Sequence, residues 1–227
     1  MKRKFLRYGG IFLIIVGIVI IIYPFYTNFV LKRREVTILA SWDEEVQLEQ
    51  EHHESITEEE YELQKETLLV DPTKKIPFKI TIPKIEVEWI VNEGTDYITL
   101  REGPGHYVGS ALPGEVGKCV IAGHRTTYGA PFNMVDELEE GDEILIETLG
   151  NEDFTYIVTD NFEVIPTDMS VLETTGYPSL ILSTCTPKYF ATRRLIIFAE
   201  IPNYVLRRRR IRVYKEYGLE YLPEDSF

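Results

Sequence analysis

Residues 179–201 read SLILSTCTPKYFATRRLIIFAEI. Two apolar runs, 179–184 and 194–201, are rich in β-branched and aromatic residues and flank a polar stretch, which is the pattern of two short strands joined by a loop. The same texture recurs upstream in FKITI (78–82), IEVEWIV (85–91), KCVIAGH (118–124), EILIETL (143–149) and FTYIVTDNFEVI (154–165). Turn residues separate these runs at Glu93-Gly94, Leu112-Pro113-Gly114, Glu140-Gly141-Asp142 and Gly150-Asn151. Helix is expected only near 97–101 and 132–138. So many short strands within 77–202 predict a mainly all-β unit. Closure into a barrel of about eight strands is preferred because it leaves no unpaired edge.

Outside this unit the charge pattern divides the chain. Residues 8–31, YGGIFLIIVGIVIIIYPFYTNFVL, carry no charge, and Lys2, Arg3, Lys4, Arg7, Lys32, Arg33 and Arg34 flank them. Roughly 20 apolar helical residues cross a ~30 Å hydrocarbon core. Tyr23, Phe25 and Tyr26 fall where an interfacial aromatic belt would sit. The run exceeds the ~7–15 residues of a signal-peptide core and ends without a small-x-small cleavage site. An uncleaved single-pass anchor is therefore expected over 8–31. It would leave 1–7 cytoplasmic and the remainder extracellular, because long C-terminal domains translocate largely regardless of charge.

Residues 32–76 are read as an extracellular acidic spacer. Its central part, 43–66, holds eleven Asp/Glu, one Lys and no Gly or Pro, which favours a solvated helix repelled by anionic headgroups. His52 and His53 are adjacent, so a helix points them in different directions and they are read as solvated. Residues 203–227 form a basic tail with four consecutive arginines, 207–210. They are suited to anionic lipid, to wall polymer or to the acidic domain itself.

Composition sets further bounds. With 227 residues, 27% charged and 44% hydrophobic, the chain is neither disordered nor wholly membrane-embedded. A net charge of -13 argues against nucleic-acid binding. Two cysteines are too few for a disulfide-stapled scaffold or a four-thiolate zinc site. No cofactor or metal is expected.

Three polar groups lie at strand ends. His124 closes the run CVIAG, Cys185 closes LILST, and Arg194 opens the next strand nine residues later. A thiol, an imidazole and a fixed cation make a minimal nucleophilic site. The thiolate attacks, imidazolium donates to the leaving group, and guanidinium steadies the oxyanion. Cys119 shares a strand with His124 but faces the other way, so a buried structural thiol is expected there, with both cysteines reduced.

The wording around these residues resembles a known family. VIAGHRTTYGAPF (120–132) and LSTCTPKYFATRRLIIFA (182–199) resemble the two signatures of sortases, the membrane-anchored cysteine transpeptidases of Gram-positive bacteria. In that family a Thr-Leu-x-Thr-Cys strand end is followed by an Arg; here Ile181-Leu182-Ser183-Thr184-Cys185 matches, with Ile181 replacing the leading Thr.

The resemblance implies Cys185 as the acyl-thioester nucleophile, His124 as the proton donor and acceptor, and Arg194 as the transition-state stabiliser, with Arg193 the competing arginine. It implies a C-terminal sorting signal of Leu-Pro-x-Thr-Gly type, cut between Thr and Gly. The acyl group then passes from the surface protein to an amine of a peptidoglycan precursor. The His-Arg-Thr-Thr-Tyr-Gly string most resembles class E, with class D next. In class E a Tyr four residues after the His accompanies a preference for Ala at the signal's second position. Tyr128 and Thr184 are accordingly the expected substrate-binding residues.

The pilin-polymerising branch is the alternative. It usually adds a second, C-terminal membrane helix, and its Asp-Pro-aromatic lid is matched here only by Asp71-Pro72. A catalytically silent, membrane-tethered adhesion or scaffold domain is a further alternative, against which the intact trio of His124, Cys185 and Arg194 stands.

Overall fold

The structure is a computed structural model that describes residues 2–55, 76–149 and 153–202. The later part of the acidic spacer (56–75), the Gly150-Asn151 turn and the basic tail lie outside the described residues. A long helix, α1 (Lys2–Ser55), precedes the β unit. The strands are β1 (Phe78–Ile82), β2 (Val87–Glu93), β3 (Gly105–His106), β4 (Gly117–Ala122), β5 (Glu143–Thr148), β6 (Asp153–Val164), β7 (Pro178–Thr186) and β8 (Arg193–Glu200). A short helix, α2 (Tyr97–Glu102), lies between β2 and β3. The strands close into a barrel in the order β1-β2-β3-β4-β7-β8-β6-β5. Among the described residues only the β2–β3 and β4–β7 pairings are parallel.

Alternation explains the core. Phe78, Ile80 and Ile82 of β1 and Ile144 and Ile146 of β5 are fully buried. They fill the interior with Tyr156, Val158, Leu180, Leu182, Leu195 and Ile197. Each such aliphatic or aromatic side chain contributes roughly 1.5–3 kcal/mol by leaving water. Around β4, β7 and β8 the alternation gives way to continuous apolar runs, because the outer face is covered as well. Val120, Ile181 and Ile196 form a second cluster under Val171 and Leu172, outside the barrel wall. Parallel pairs buried on both sides characteristically read this way.

Helix α1 runs unbroken through the expected boundary between anchor and spacer. Part of it, Tyr8–Leu48, contains a stretch of mean hydropathy 2.4, long and apolar enough to cross a membrane. Between the apolar run and the acidic stretch 43–66, Glu35 and Trp42 are buried. Asn28, Glu35 and Trp42 recur every seven residues on one helical face, and the first two bond to backbone of the β unit. Asn28 Oδ1 accepts from Gly129 N at 2.9 Å, and Glu35 Oε1 accepts from Ile90 N at 2.8 Å. Trp42 is 3% exposed.

Candidate active site

Ladder register brings the expected residues together. In the antiparallel β7–β8 pair, Cys185 stands opposite Arg194 and Thr186 opposite Arg193. Alternation from Ile181 and Ile196 puts Cys185 and Arg194 on the outer face of the barrel wall. There an Arg194 guanidinium nitrogen lies 3.4 Å from Cys185 Sγ. Arg193, on the other face, instead reaches Glu163 at 3.9 Å. The structure thus separates the two arginines that the sequence left in competition.

His124 arrives from the neighbouring strand. The parallel β4–β7 ladder ends at Ala122↔Ser183, so His124 and Cys185 each lie two residues beyond the last pair. Gly123 makes the exit. Its N–H donates to Ser183 O at 3.1 Å, and its carbonyl accepts from Thr184 Oγ1 at 2.7 Å. A Cβ on Gly123 would come within 2.6 Å of the Phe132 ring, so the backbone passes where only glycine fits. The His124 ring packs on Tyr128 with centroids 5.0 Å apart, and its Nε2 is buried without a hydrogen-bond partner. Burial depresses the imidazole pKa below its ordinary value, because the low-dielectric setting disfavours the cation.

Tyr128 sits in a left-handed turn (φ 53°) continued by Gly129 (φ 79°). Its phenol meets Tyr97 Oη at 3.1 Å, and the Arg101 guanidinium lies 5.6 Å from the Tyr97 ring centre and 5.7 Å from that of Tyr128. Helix α2 therefore contributes two residues, Tyr97 and Arg101, to the wall beside His124. Neither carries a local sequence signal; only their long-range packing reveals them.

Thr184 is 3% exposed and its hydroxyl donates to Gly123 O, which fastens the end of β7 to the segment leaving β4. Cys119 lies in the main core at 1% exposure, where burial pushes its thiol pKa well up. It and Cys185 are separate, free thiols. Among the described residues no three His, Cys, Asp or Glu side chains gather as a metal site.

A thiol touched by a guanidinium, with a buried imidazole leaving the adjoining strand at the same end of the wall, is suited to acyl transfer through a thioester. Residues 80–202, more than half of the chain, match the Sortase domain family. The chain belongs to the sortase family. Among curated relatives of this sortase, it is 37% identical over 125 residues to Sortase D of Bacillus subtilis, covering 53% of this chain and 61% of that protein. It is 32% identical over 136 residues to Sortase SrtE1 of Streptomyces coelicolor, covering 53% and 38% respectively. The aligned part thus spans less than two thirds of either relative. Among solved structures, a Clostridium perfringens Sortase D5 transpeptidase superposes with TM-score 0.54 at 32% identity, covering 65% of this chain and 89% of that one. Sortase A from Corynebacterium diphtheriae gives 0.53 at 33%, covering 56% and 61%. Both class D and class E, expected from the string after His124, appear among the relatives.

Proposed function

We propose that this sortase is a cysteine transpeptidase that cuts a C-terminal sorting signal between Thr and Gly and transfers the protein to an amine of a cell-wall precursor. The observation that carries the reading is the Arg194 guanidinium 3.4 Å from Cys185 Sγ, at the wall end where His124 leaves β4.

The Cys185 thiolate adds to the Thr carbonyl carbon, and Arg194 holds the resulting oxyanion. As the C–N bond breaks, the His124 imidazolium gives its proton to the departing glycine amine, leaving an acyl-thioester. The acceptor amine loses a proton to neutral His124 and attacks the thioester. The new amide forms and the thiolate leaves. Because burial favours neutral imidazole, few molecules carry the His124 imidazolium that expels the glycine amine, so slow turnover is expected. Tyr128, packed on His124, forms the wall beside the signal's second residue, with Ala preferred to Pro there.

The apolar run 8–31 anchors the enzyme with residues 1–7 in the cytoplasm and the barrel outside, facing both surface proteins and precursor. In this reading 32–76 is the extracellular spacer, 77–202 the catalytic barrel and 203–227 a basic tail.

The test incubates the full chain, in detergent micelles, with Leu-Ala-x-Thr-Gly or Leu-Pro-x-Thr-Gly peptides and a series of amines including oligoglycine. Mass spectrometry should show an adduct on Cys185, then the amide product, with the Ala peptide faster. Absence of any Cys185 adduct with either peptide sinks the reading.

A further inference from the structure

Beyond Ala122↔Ser183 the β4–β7 ladder stops, yet the residues proposed to react lie just past that point. One backbone bond, Gly123 N–H to Ser183 O, follows the last pair, and side chains hold the two segments in step beyond it. Thr184 Oγ1 on Gly123 O is one tie. The other is Arg125. Its side chain is 5% exposed; one guanidinium nitrogen donates to the carbonyl of Cys185 at 3.2 Å, and the other pairs with Asp136 at 2.8 Å. Arg125 O in turn accepts from Asn133 Nδ2 at 2.8 Å. Lys188, from the loop after β7, reaches Asp136 at 3.7 Å and Asn133 Oδ1 at 3.4 Å.

Burying a guanidinium is costly even when it is paired, and here Arg125 Nε is buried without a partner. An apolar residue would fill that space at lower cost but could not bridge a backbone carbonyl and a carboxylate. The planar fork suits that bridge.

We propose that Arg125, locked by Asp136, is a positioning residue that clasps the Cys185 backbone to the His124 loop and so sets thiol against imidazole. This rests on the transpeptidase reading for the meaning of the trio, though not for the clasp itself. Arg125 does not touch the reacting sulfur; its effect is on the placement of Cys185. A misplacement of about 1 Å costs on the order of a hundredfold in rate. A loss in kcat, with little change in peptide KM, is therefore expected.

The test uses the full chain in micelles, with turnover of the sorting-signal peptide, iodoacetamide alkylation of Cys185 followed by mass spectrometry, and thermal unfolding. Arg125→Gln should lower kcat about 10- to 100-fold with KM nearly unchanged. Arg125→Lys, which keeps the charge but not the fork, should fall between the two. Asp136→Asn should act in the same direction more weakly. The double variant should be no worse than Arg125→Gln alone, because Asp136 acts through Arg125. Unchanged kcat in a folded Arg125→Gln, or losses that simply add in the double variant, overturns the proposal. Should Arg125→Gln fail to fold, Arg125→Lys and Asp136→Asn decide. Lowered kcat at unchanged unfolding temperature supports the clasp, and unchanged kcat in both overturns it. If the native chain acylates with no peptide, the transpeptidase reading falls separately. The alkylation rates of Cys185 then carry the same comparison among the variants.

Discussion

Cys185 and Arg194 face each other across the β7–β8 ladder, nine residues apart in sequence and 3.4 Å apart between sulfur and guanidinium nitrogen. Because the contact is a cross-strand pair, its geometry is set by the register of two central strands, and the intervening loop does not have to fold back to make it. Arg193, one residue away, is turned to Glu163 by the same alternation.

The two arginines should therefore differ sharply on mutation. Arg194→Ala removes the donor beside the sulfur and is expected to lower kcat by about 10²–10³-fold, the usual effect of losing an oxyanion donor. Arg193→Ala loses a surface ion pair, for which the expected cost is about 0–1 kcal/mol of stability. Steady-state turnover of the signal peptide by both variants checks the ranking, and the reverse order would displace Arg194 from its role.

The His124 imidazole should titrate below the ordinary histidine range, because burial under Tyr128 disfavours its cation. Tyr128→Ala opens the ring to water and should move the midpoint upward, so that imidazolium persists to higher pH. NMR titration of the ring protons reads both. The sign for stability follows. The folded chain binds the His124 proton less readily than the unfolded chain, so stability is full above the unfolded value of about 6.5 and falls as pH drops through the lowered folded midpoint. His124→Gln should flatten that part of the acid profile.

Gly123→Ala should be poorly tolerated, since the added methyl meets the Phe132 ring. Overpacking of this kind costs about 1–3 kcal/mol, and here the strain falls on the residue before His124. Thermal unfolding and peptide turnover should both drop. Pairing the change with Phe132→Leu should return part of each, whereas no recovery would locate the strain elsewhere.

The two thiols should report their surroundings. Iodoacetamide should label Cys185 in the folded chain and leave Cys119, at 1% exposure with its pKa pushed up, unmodified until unfolding. Cys119→Ala should preserve adduct formation with the peptide, while Cys185→Ala abolishes it.

Much of the barrel was legible because period-two alternation in FKITI and EILIE turns the apolar residues into the barrel core and the polar ones to its other face. Strand ends were less so. The run read through to His124 stops at Ala122, since Gly123 veers past Phe132. Strand β7 continues beyond Thr184 to Thr186, since pairing with Arg193 and Arg194 extends it through polar residues that carry no strand texture. The expected helix at 132–138 is only the 3₁₀ turn Val135–Glu137. The bond from Thr184 to Gly123 O was not legible, because a hydroxyl beside a cysteine reads the same whether it faces solvent or a neighbouring carbonyl.

By itself the sequence determined the apolar run that suits a membrane, the β texture of 77–202, and the candidates His124 and Cys185 at strand ends with an arginine pair, 193 and 194, after them. Each of these is written in local composition or spacing. The tertiary structure decided which arginine meets the sulfur, that Arg125 and Asp136 tie the nucleophile's backbone to the histidine loop, and that one face of α1 lies on the barrel. Those contacts join residues up to 101 positions apart, as between Asn28 and Gly129. Alternation says which face a side chain takes, but only closure of the sheet says which distant residue it meets there.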